Sequence, residues 1–248
     1  MRRNILITGA SSGLGRGLAL EFAARGRSLA LCARRGDRLD ALKAELEAAH
    51  PGIRVAVRTL DVTDPDAVPE VFRSFRDELG SLDRVIVNAG LGKGQPIGTG
   101  GFRANRQTAQ TNFLGALAQC EAAVETFRQQ GAGHLVVMSS VSAFRGMPRN
   151  LTTYAATKAG IAALAEGIRA DLLRTPIRVT TLFPGFIRSE MNERVKHTPF
   201  LIDTDVGCRL LARAIEREPA TAIVPRWPWV PLGLALRWLP LRVTARMM

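Results

Sequence analysis

The chain predicts an α/β fold, a doubly wound parallel sheet of about seven strands with helices on both faces, in a single domain. Three observations carry that prediction. Short continuous apolar runs alternate along the chain with longer stretches whose apolar residues recur at helical spacing, the rhythm of strands buried on both faces and joined by crossover helices. A glycine-rich run, Thr8-Gly9-Ala10-Ser11-Ser12-Gly13-Leu14-Gly15, falls between the first strand and the first helix. The 248 residues, 46% of them hydrophobic, suffice for one full core, and no interior linker, repeat or low-complexity segment divides them.

In order along the chain, residues 4–8 read as a strand and 13–25 as a helix rich in Leu and Ala. A second apolar strand spans 28–33, followed by a helix over 37–49 with Leu39, Leu42 and Leu46 on one stripe. Residues 53–60 form a third strand. Pro65 opens the next helix, since proline is tolerated in a first turn, and Val68, Val71, Phe72, Phe75 and Leu79 are its inward face. A fourth strand over 82–88 leads through a glycine-rich loop, 90–101, into a long helix over 103–130. The remaining elements are a strand at 134–139, a helix at 152–174, a strand at 177–183 stopped by Pro184-Gly185, a helix at 205–217 and a last strand at 221–224. The domain is assigned to residues 1–225, and 226–248 to an apolar and basic tail.

Composition narrows the function classes. Cys32, Cys120 and Cys208 are far apart and odd in number, and His50, His134 and His197 are scattered. Neither a disulfide framework nor metal-ligand spacing is visible, which fits a reducing compartment. The apolar stretch after Met1-Arg2-Arg3 is too short for a signal peptide, and no run reaches the ~20 apolar residues of a spanning helix. A cytoplasmic location is expected. The net charge of +12 comes from arginines spread along the chain without a dense block, so a solvated basic surface is favoured over nucleic-acid binding.

The glycine-rich run sits where a strand-to-helix turn brings backbone N–H groups and a positive helix end to a pyrophosphate. Its spacing is Gly-x-x-x-Gly-x-Gly. Far downstream, Tyr154, the only tyrosine in the chain, stands four residues before Lys158, so on a helix the two share a face. An ammonium there favours the phenolate and lowers the tyrosine pKa, tuning a phenol that exchanges protons with a carbonyl oxygen. Asn88-Ala89-Gly90 and Pro184-Gly185 follow the fourth and sixth strands.

In these motifs and their order the chain resembles the short-chain dehydrogenase/reductase family over about residues 3–225, which implies a Rossmann-type sheet and NAD(P)-dependent oxidoreductase chemistry. The cofactor-binding set implied is Gly9, Ser11, Ser12, Gly13, Leu14 and Gly15 in the turn. Asp61 and Val62 would border the adenine, and Asn88, Ala89 and Gly90 the ribose. Pro184, Gly185, Ile187 and Ser189 would meet the nicotinamide, with Ser189 where the family usually has threonine. Charge separates the two cofactors. The acidic residue expected about 20 positions past the glycines for NAD is missing from the strand end Cys32-Ala33-Arg34-Arg35. Guanidinium groups suit a 2′-phosphate, so Arg34 and Arg35 predict NADP(H).

The resemblance also implies a catalytic set of Asn112, Ser140, Tyr154 and Lys158. Ser140 holds the substrate carbonyl oxygen beside the Tyr154 hydroxyl, Lys158 tunes Tyr154 and contacts the nicotinamide ribose, and Asn112 holds a water linking Lys158 to solvent. Ser139 and Ser142 are rival serines. Ser140 and Tyr154 stand one position further apart than the family pattern, an excess assigned to the loop near residues 146–151. The reaction implied is carbonyl reduction by NADPH with Tyr154 as general acid. The alternatives are an oxidative alcohol or hydroxysteroid dehydrogenase and a non-catalytic dinucleotide-binding regulator.

Substrate would meet Ser140, Val141, Ser142, Phe144, Met147, Tyr154, Phe186 and Met191, with Phe200 closing a mostly apolar lining. An apolar or lipid-like carbonyl compound is the expected class. The tail holds all three tryptophans, several arginines and no acidic residue, a composition suited to a membrane surface, a subunit contact or a cover over a greasy pocket. Pro228, Pro231 and Pro240 argue against one long helix. A homodimer or homotetramer built on the two long helices is what the resemblance implies.

Overall fold

A computed structural model describes residues 2–193 and 198–246 of the chain; His197, with the three residues before it in the stretch between Met191 and Phe200, lies outside the described residues. Seven strands form one parallel sheet in the order β3-β2-β1-β4-β5-β6-β7. They are β1 (Asn4–Thr8), β2 (Ser28–Ala33), β3 (Val55–Thr59), β4 (Arg84–Val87), β5 (Gly133–Met138), β6 (Ile177–Pro184) and β7 (Thr221–Val224). The order reverses between β1 and β4, and such a switch point leaves a crevice outside the carboxyl ends of the strands, where ligands of this architecture bind.

Successive side chains of a strand point to opposite faces, so each strand feeds two cores. Leu6, Leu135 and Val137 join one core, while Ile5, Ile7, Val136 and Met138 join the other. Helices α3 (Ala67–Leu79), α5 (Gly115–Gln130) and α6 (Thr152–Asp171) cover the first face through Phe72, Phe75, Phe127, Ile161 and Ala165. Helices α1 (Gly13–Ala23), α2 (Gly36–Ala49) and α7 (Thr204–Glu216) cover the second through Leu18, Phe22, Leu39, Leu42, Leu211 and Ile215. Each fully buried Leu, Ile or Phe among them contributes roughly 1.5–3 kcal/mol. Cys32, Cys120 and Cys208 are free and buried within these layers, and burial raises the thiols of Cys32 and Cys120 to about 12.

Most element boundaries shift from the sequence expectation by one or two residues, and three of the differences have a local cause or change the element itself. Helix α3 starts at Ala67, because the Asp64 carboxylate accepts from the backbone N–H groups of Asp66 and Ala67 at 3.2 Å and holds Pro65 in the preceding turn. The stretch expected as one helix over 103–130 is α4 (Phe102–Ala109), a π-helical turn at Gln110–Leu114, and α5. The last turn expected of α6 is lost after Asp171, where Leu172 caps the helix. The tail, as its prolines require, is broken into α8 (Trp229–Trp238) and α9 (Leu241–Arg246). No helix among the described residues is long and apolar enough to cross a membrane.

Candidate active site

The glycine-rich turn is held open by its neighbours. Thr8 Oγ1 accepts from the N–H groups of Asn88 and Ala89, both at 3.0 Å, and the Asn88 side-chain amide donates to Thr8 O at 2.9 Å. These bonds tie the ends of β1 and β4 together. Gly9 has φ +66, and a Cβ there would lie 2.9 Å from Ala89 Cα; a Cβ on Gly15 would lie 2.3 Å from the Gly9 carbonyl oxygen. Only glycine fits either place. The turn therefore keeps its backbone bare beside the start of α1, the cradle a pyrophosphate needs.

A cavity of about 760 Å³ runs from this turn across the carboxyl ends of the strands. Its wall includes Gly9, Ser11, Ser12, Gly13 and Leu14, then Arg34 and Arg35, Asp61 and Val62, and Asn88, Ala89 and Gly90. Further along stand Pro184, Gly185, Ile187 and Ser189, then Ser140, Tyr154 and Lys158. Of the expected cofactor set, only Gly15 is behind the wall. Asn112 is behind it too, buried in the π-helical turn. Its amide oxygen accepts from Leu91 N–H at 2.7 Å, and its nitrogen donates to Leu91 O at 2.8 Å and to Thr157 Oγ1 at 3.3 Å. It clamps the loop after β4 against α6.

The three candidate serines take different roles. Ser139 donates to the backbone oxygen of Lys158 at 2.8 Å and is buried, so it fixes β5 to α6. Ser140 Oγ accepts from Ser142 N at 3.2 Å and from Ser142 Oγ at 2.9 Å. A hydrogen bond with the Ser140 side chain also works to lower the Tyr154 pKa. Lys158 Nζ donates to Met138 O at 2.7 Å and lies 5.8 Å from the Tyr154 ring centre.

The electrostatics differ from the sequence expectation. Burial raises the Tyr154 pKa above its ordinary value, and the downward influence comes from the Ser140 hydrogen bond rather than from the lysine. Burial lowers Lys158 to about 8. The reason is geometric: at 5.8 Å from the ring, the ammonium spends its closest contact on the Met138 carbonyl. Tyr154 is thus a neutral phenol at neutral pH, the state a proton donor needs.

Val141, Ser142, Met147, Phe186 and Met191 line the same cavity beyond Ser140 and Tyr154, and Phe200 joins them. Phe144 does not. The 3₁₀ turn Val141–Phe144 swings its ring outward onto Phe183, 4.9 Å between centres, beneath α8. Leu151, outside the expected lining, and Trp229, Leu232 and Leu236, for which a pocket cover was one of three readings, complete the apolar wall. The last three belong to the tail, so α8 covers the cavity with one face. Trp229 packs between Phe186, at 5.7 Å, and Phe200, at 6.0 Å. The outer side of the tail leaves Trp227, Leu234, Trp238 and Leu241 exposed.

One close approach pins this cover. A Cβ on Gly185 would lie 2.1 Å from Trp229 Nε1, so Gly185→Ala must displace the indole that seats α8 and should loosen the helix. The expected result is faster tryptic cleavage after Arg226 and a several-fold higher KM for apolar substrates, at a cost of about 1–3 kcal/mol in stability. Unchanged cleavage and KM would show that α8 does not depend on this contact.

Fold and site together define a nucleotide-binding α/β oxidoreductase. The family model for short chain dehydrogenases matches residues 3–199, and the chain belongs to that family. It is 53% identical to an uncharacterized oxidoreductase of Mycobacterium tuberculosis over 99% of this chain and 97% of that one. It is 38% identical to an uncharacterized oxidoreductase of Myxococcus xanthus over 94% and 91% of the two chains. Among solved structures, an alcohol dehydrogenase from the archaeon Thermococcus sibiricus, complexed with 5-hydroxy-NADP, aligns with a TM-score of 0.80 at 25% identity. That alignment covers 90% of this chain and 95% of the archaeal one.

Proposed function

We propose that this protein is an NADPH-dependent reductase of apolar ketones or 3-oxo compounds. The observation that carries the reading is one continuous cavity joining the bare glycine turn and Arg35 at one end to Ser140, Tyr154 and Lys158 at the other. The bound reduced nicotinamide supplies the hydride. Tyr154 holds the proton that the carbonyl oxygen takes up, at a phenol that burial keeps protonated. Ser140, its oxygen held by the two bonds from Ser142, positions that oxygen beside Tyr154 and stabilises the negative charge developing on it. Lys158, anchored on Met138 O, faces the same wall and adds positive charge. Arg34 and Arg35 at the end of β2, with no carboxylate at that strand end, favour the 2′-phosphorylated cofactor. The similar archaeal enzyme is complexed with 5-hydroxy-NADP, which supports the same choice.

The apolar class rests on Met147, Leu151, Phe186, Met191, Trp229, Leu232 and Leu236 in the wall. A buried methylene contributes about 0.8 kcal/mol. Over a series of ketones and 3-oxo acyl chains, kcat/KM with NADPH should therefore rise roughly 4-fold per methylene until the wall is filled. NADPH should be preferred to NADH by at least ~10-fold, and Arg35→Ala should narrow that gap. A flat chain-length series would remove the apolar class, and equal use of NADH would remove the cofactor choice.

A further inference from the structure

At the nucleotide end the cavity is closed by an ion-pair cluster that hydride transfer does not use. Glu190, on the segment after β6, places one carboxylate oxygen 2.6 Å from Arg38 Nη1 and the other 3.1 Å from Arg35 Nη1. Arg35 is aimed by two further bonds, from Nε to Ser11 Oγ at 3.1 Å and from Nη2 to Ser12 Oγ at 2.6 Å. Ser11, Ser12, Gly13 and Glu190 face the large cavity on one side. On the other they face a second cavity of about 290 Å³, whose wall includes Arg16, Arg38 and Glu45. Arg16 is already committed to Glu45 at 2.6 Å. Glu190 is therefore the anion that fills the fork between Arg35 and Arg38, and part of the partition between the two cavities.

We propose that Glu190 is the resident anion of the fork that Arg35 and Arg38 hold toward the cofactor's 2′-phosphate, and that it is displaced when the phosphate binds. The proposal rests on the NADP(H) reading and adds two residues to it, one that attracts and one that competes. The chemistry favours exchange. Hydrogen bonds from Arg38 and then Arg35 hold the Glu190 carboxyl below the usual carboxylate range, so it is ionised at neutral pH. The side chains of Glu190, Arg35 and Arg38 are each 40–47% exposed, and ion pairs so open to water contribute little to stability. A phosphomonoester brings about −1.5 to −2 charges and three strong acceptor oxygens, against a single charge and two oxygens on Glu190. Two guanidinium groups and the Ser12 hydroxyl match three phosphate oxygens better than one carboxylate.

The test uses the full chain. Dissociation constants are measured for NADPH and NADH by fluorescence titration, and for 2′,5′-ADP and 5′-AMP by calorimetry. The proteins are the wild type, Glu190→Gln, Arg38→Gln and the double variant. Glu190→Gln should tighten NADPH and 2′,5′-ADP roughly 3- to 10-fold, because the competing charge is gone, and leave NADH and 5′-AMP within about 2-fold. Arg38→Gln should weaken NADPH and 2′,5′-ADP alone, and in the double variant it should cancel the gain. The exchange is overturned, with the cofactor reading intact, if the wild type prefers NADPH yet Glu190→Gln leaves its affinity unchanged or lower. It is equally overturned if Glu190→Gln tightens NADH as much as NADPH, since that is the signature of a general field. Wild-type protein that binds NADPH and NADH alike, with no response to Arg38→Gln, overturns the cofactor reading and the exchange together.

Discussion

Tyr154→Phe is expected to lower kcat for ketone reduction by roughly 10²- to 10⁴-fold, the range a positioned general acid contributes, while NADPH still binds within a few-fold of the wild-type affinity. The substitution removes one oxygen and keeps the ring over which Lys158 Nζ stands at 5.8 Å. It leaves the lysine's bond to Met138 O, the buried Asn112 clamp and the glycine turn untouched. Loss confined to kcat would separate proton donation from a role in holding the cofactor. The pH profile adds a second reading. Burial raises Tyr154, so wild-type reduction should stay flat from neutral pH upward until the phenol, or Lys158 near 8, begins to lose its proton. Ser140→Ala should lower kcat as well, because Tyr154 would lose the hydrogen bond that opposes the upward effect of burial. A Tyr154→Phe enzyme with near-normal turnover would falsify the assignment of the phenol as acid.

Much of this site could be read before the structure because its parts lie close in sequence and obey local rules. The glycine turn is one run of eight residues between a strand and a helix, and the phenol and ammonium are one helical turn apart. Strands buried on both faces betray themselves as unbroken apolar runs. What escaped reading depends on distant partners. Nothing in residues 110–114 breaks a helical pattern, yet the helix widens there, beside an Asn112 amide bonded to Leu91, 21 positions earlier. Phe144 looked like substrate lining because it is apolar and close to Ser140; a 3₁₀ turn aims it at Phe183 instead. The tail's composition left a membrane, a partner subunit and a greasy pocket all open, since the contact that seats it is between Trp229 and Gly185. Glu190 gave no signal at all, because its partner Arg38 is 152 positions away. The balance between Tyr154 and Lys158 was misjudged for a related reason: spacing reports which residues are neighbours, whereas the pKa is set by how much water each has lost.

Arg84→Met is expected to cost about 3 kcal/mol of stability, the lower part of the range for breaking a buried charge network. Arg84 opens β4 at the end of the sheet away from the active site and is 1% exposed. Its Nε donates to His134 Nδ1 at 2.8 Å, Nη1 to Glu216 at 3.1 Å and Nη2 to Glu218 at 3.2 Å. The pattern fixes His134 as the neutral tautomer with its proton on Nε2, which donates to Thr180 Oγ1 at 2.9 Å, and Thr180 in turn donates to Pro219 O at 2.6 Å. Methionine keeps the stem's bulk but leaves the imidazole without its donor and two carboxylates without their shared cation. Urea unfolding at neutral pH measures the loss. The pH dependence then separates this mechanism from simple misfit. Burial, then the charge of Arg84, lowers His134 from 6.5 to about 3, so between those values the unfolded chain takes up a proton that the folded chain refuses. Stability must fall as pH drops through that window, by about 2 kcal/mol from pH 6.5 to pH 5 at ~1.4 kcal/mol per unit. Glu218 adds to the same trend at lower pH. Burial works to raise its carboxyl, but the hydrogen bond from Arg2 and the charges of His134, Arg2 and Arg84 leave it below its ordinary value. Without Arg84, the repulsion that keeps His134 unprotonated is weaker and Glu218 attracts its proton. The variant should therefore lose less stability on acidification, and the gap between it and the wild type should shrink from pH 7 to pH 5. A gap of constant size would mean that the introduced methionine merely packs badly; no gap at any pH would mean that the cluster, for all its burial, carries none of the fold's stability.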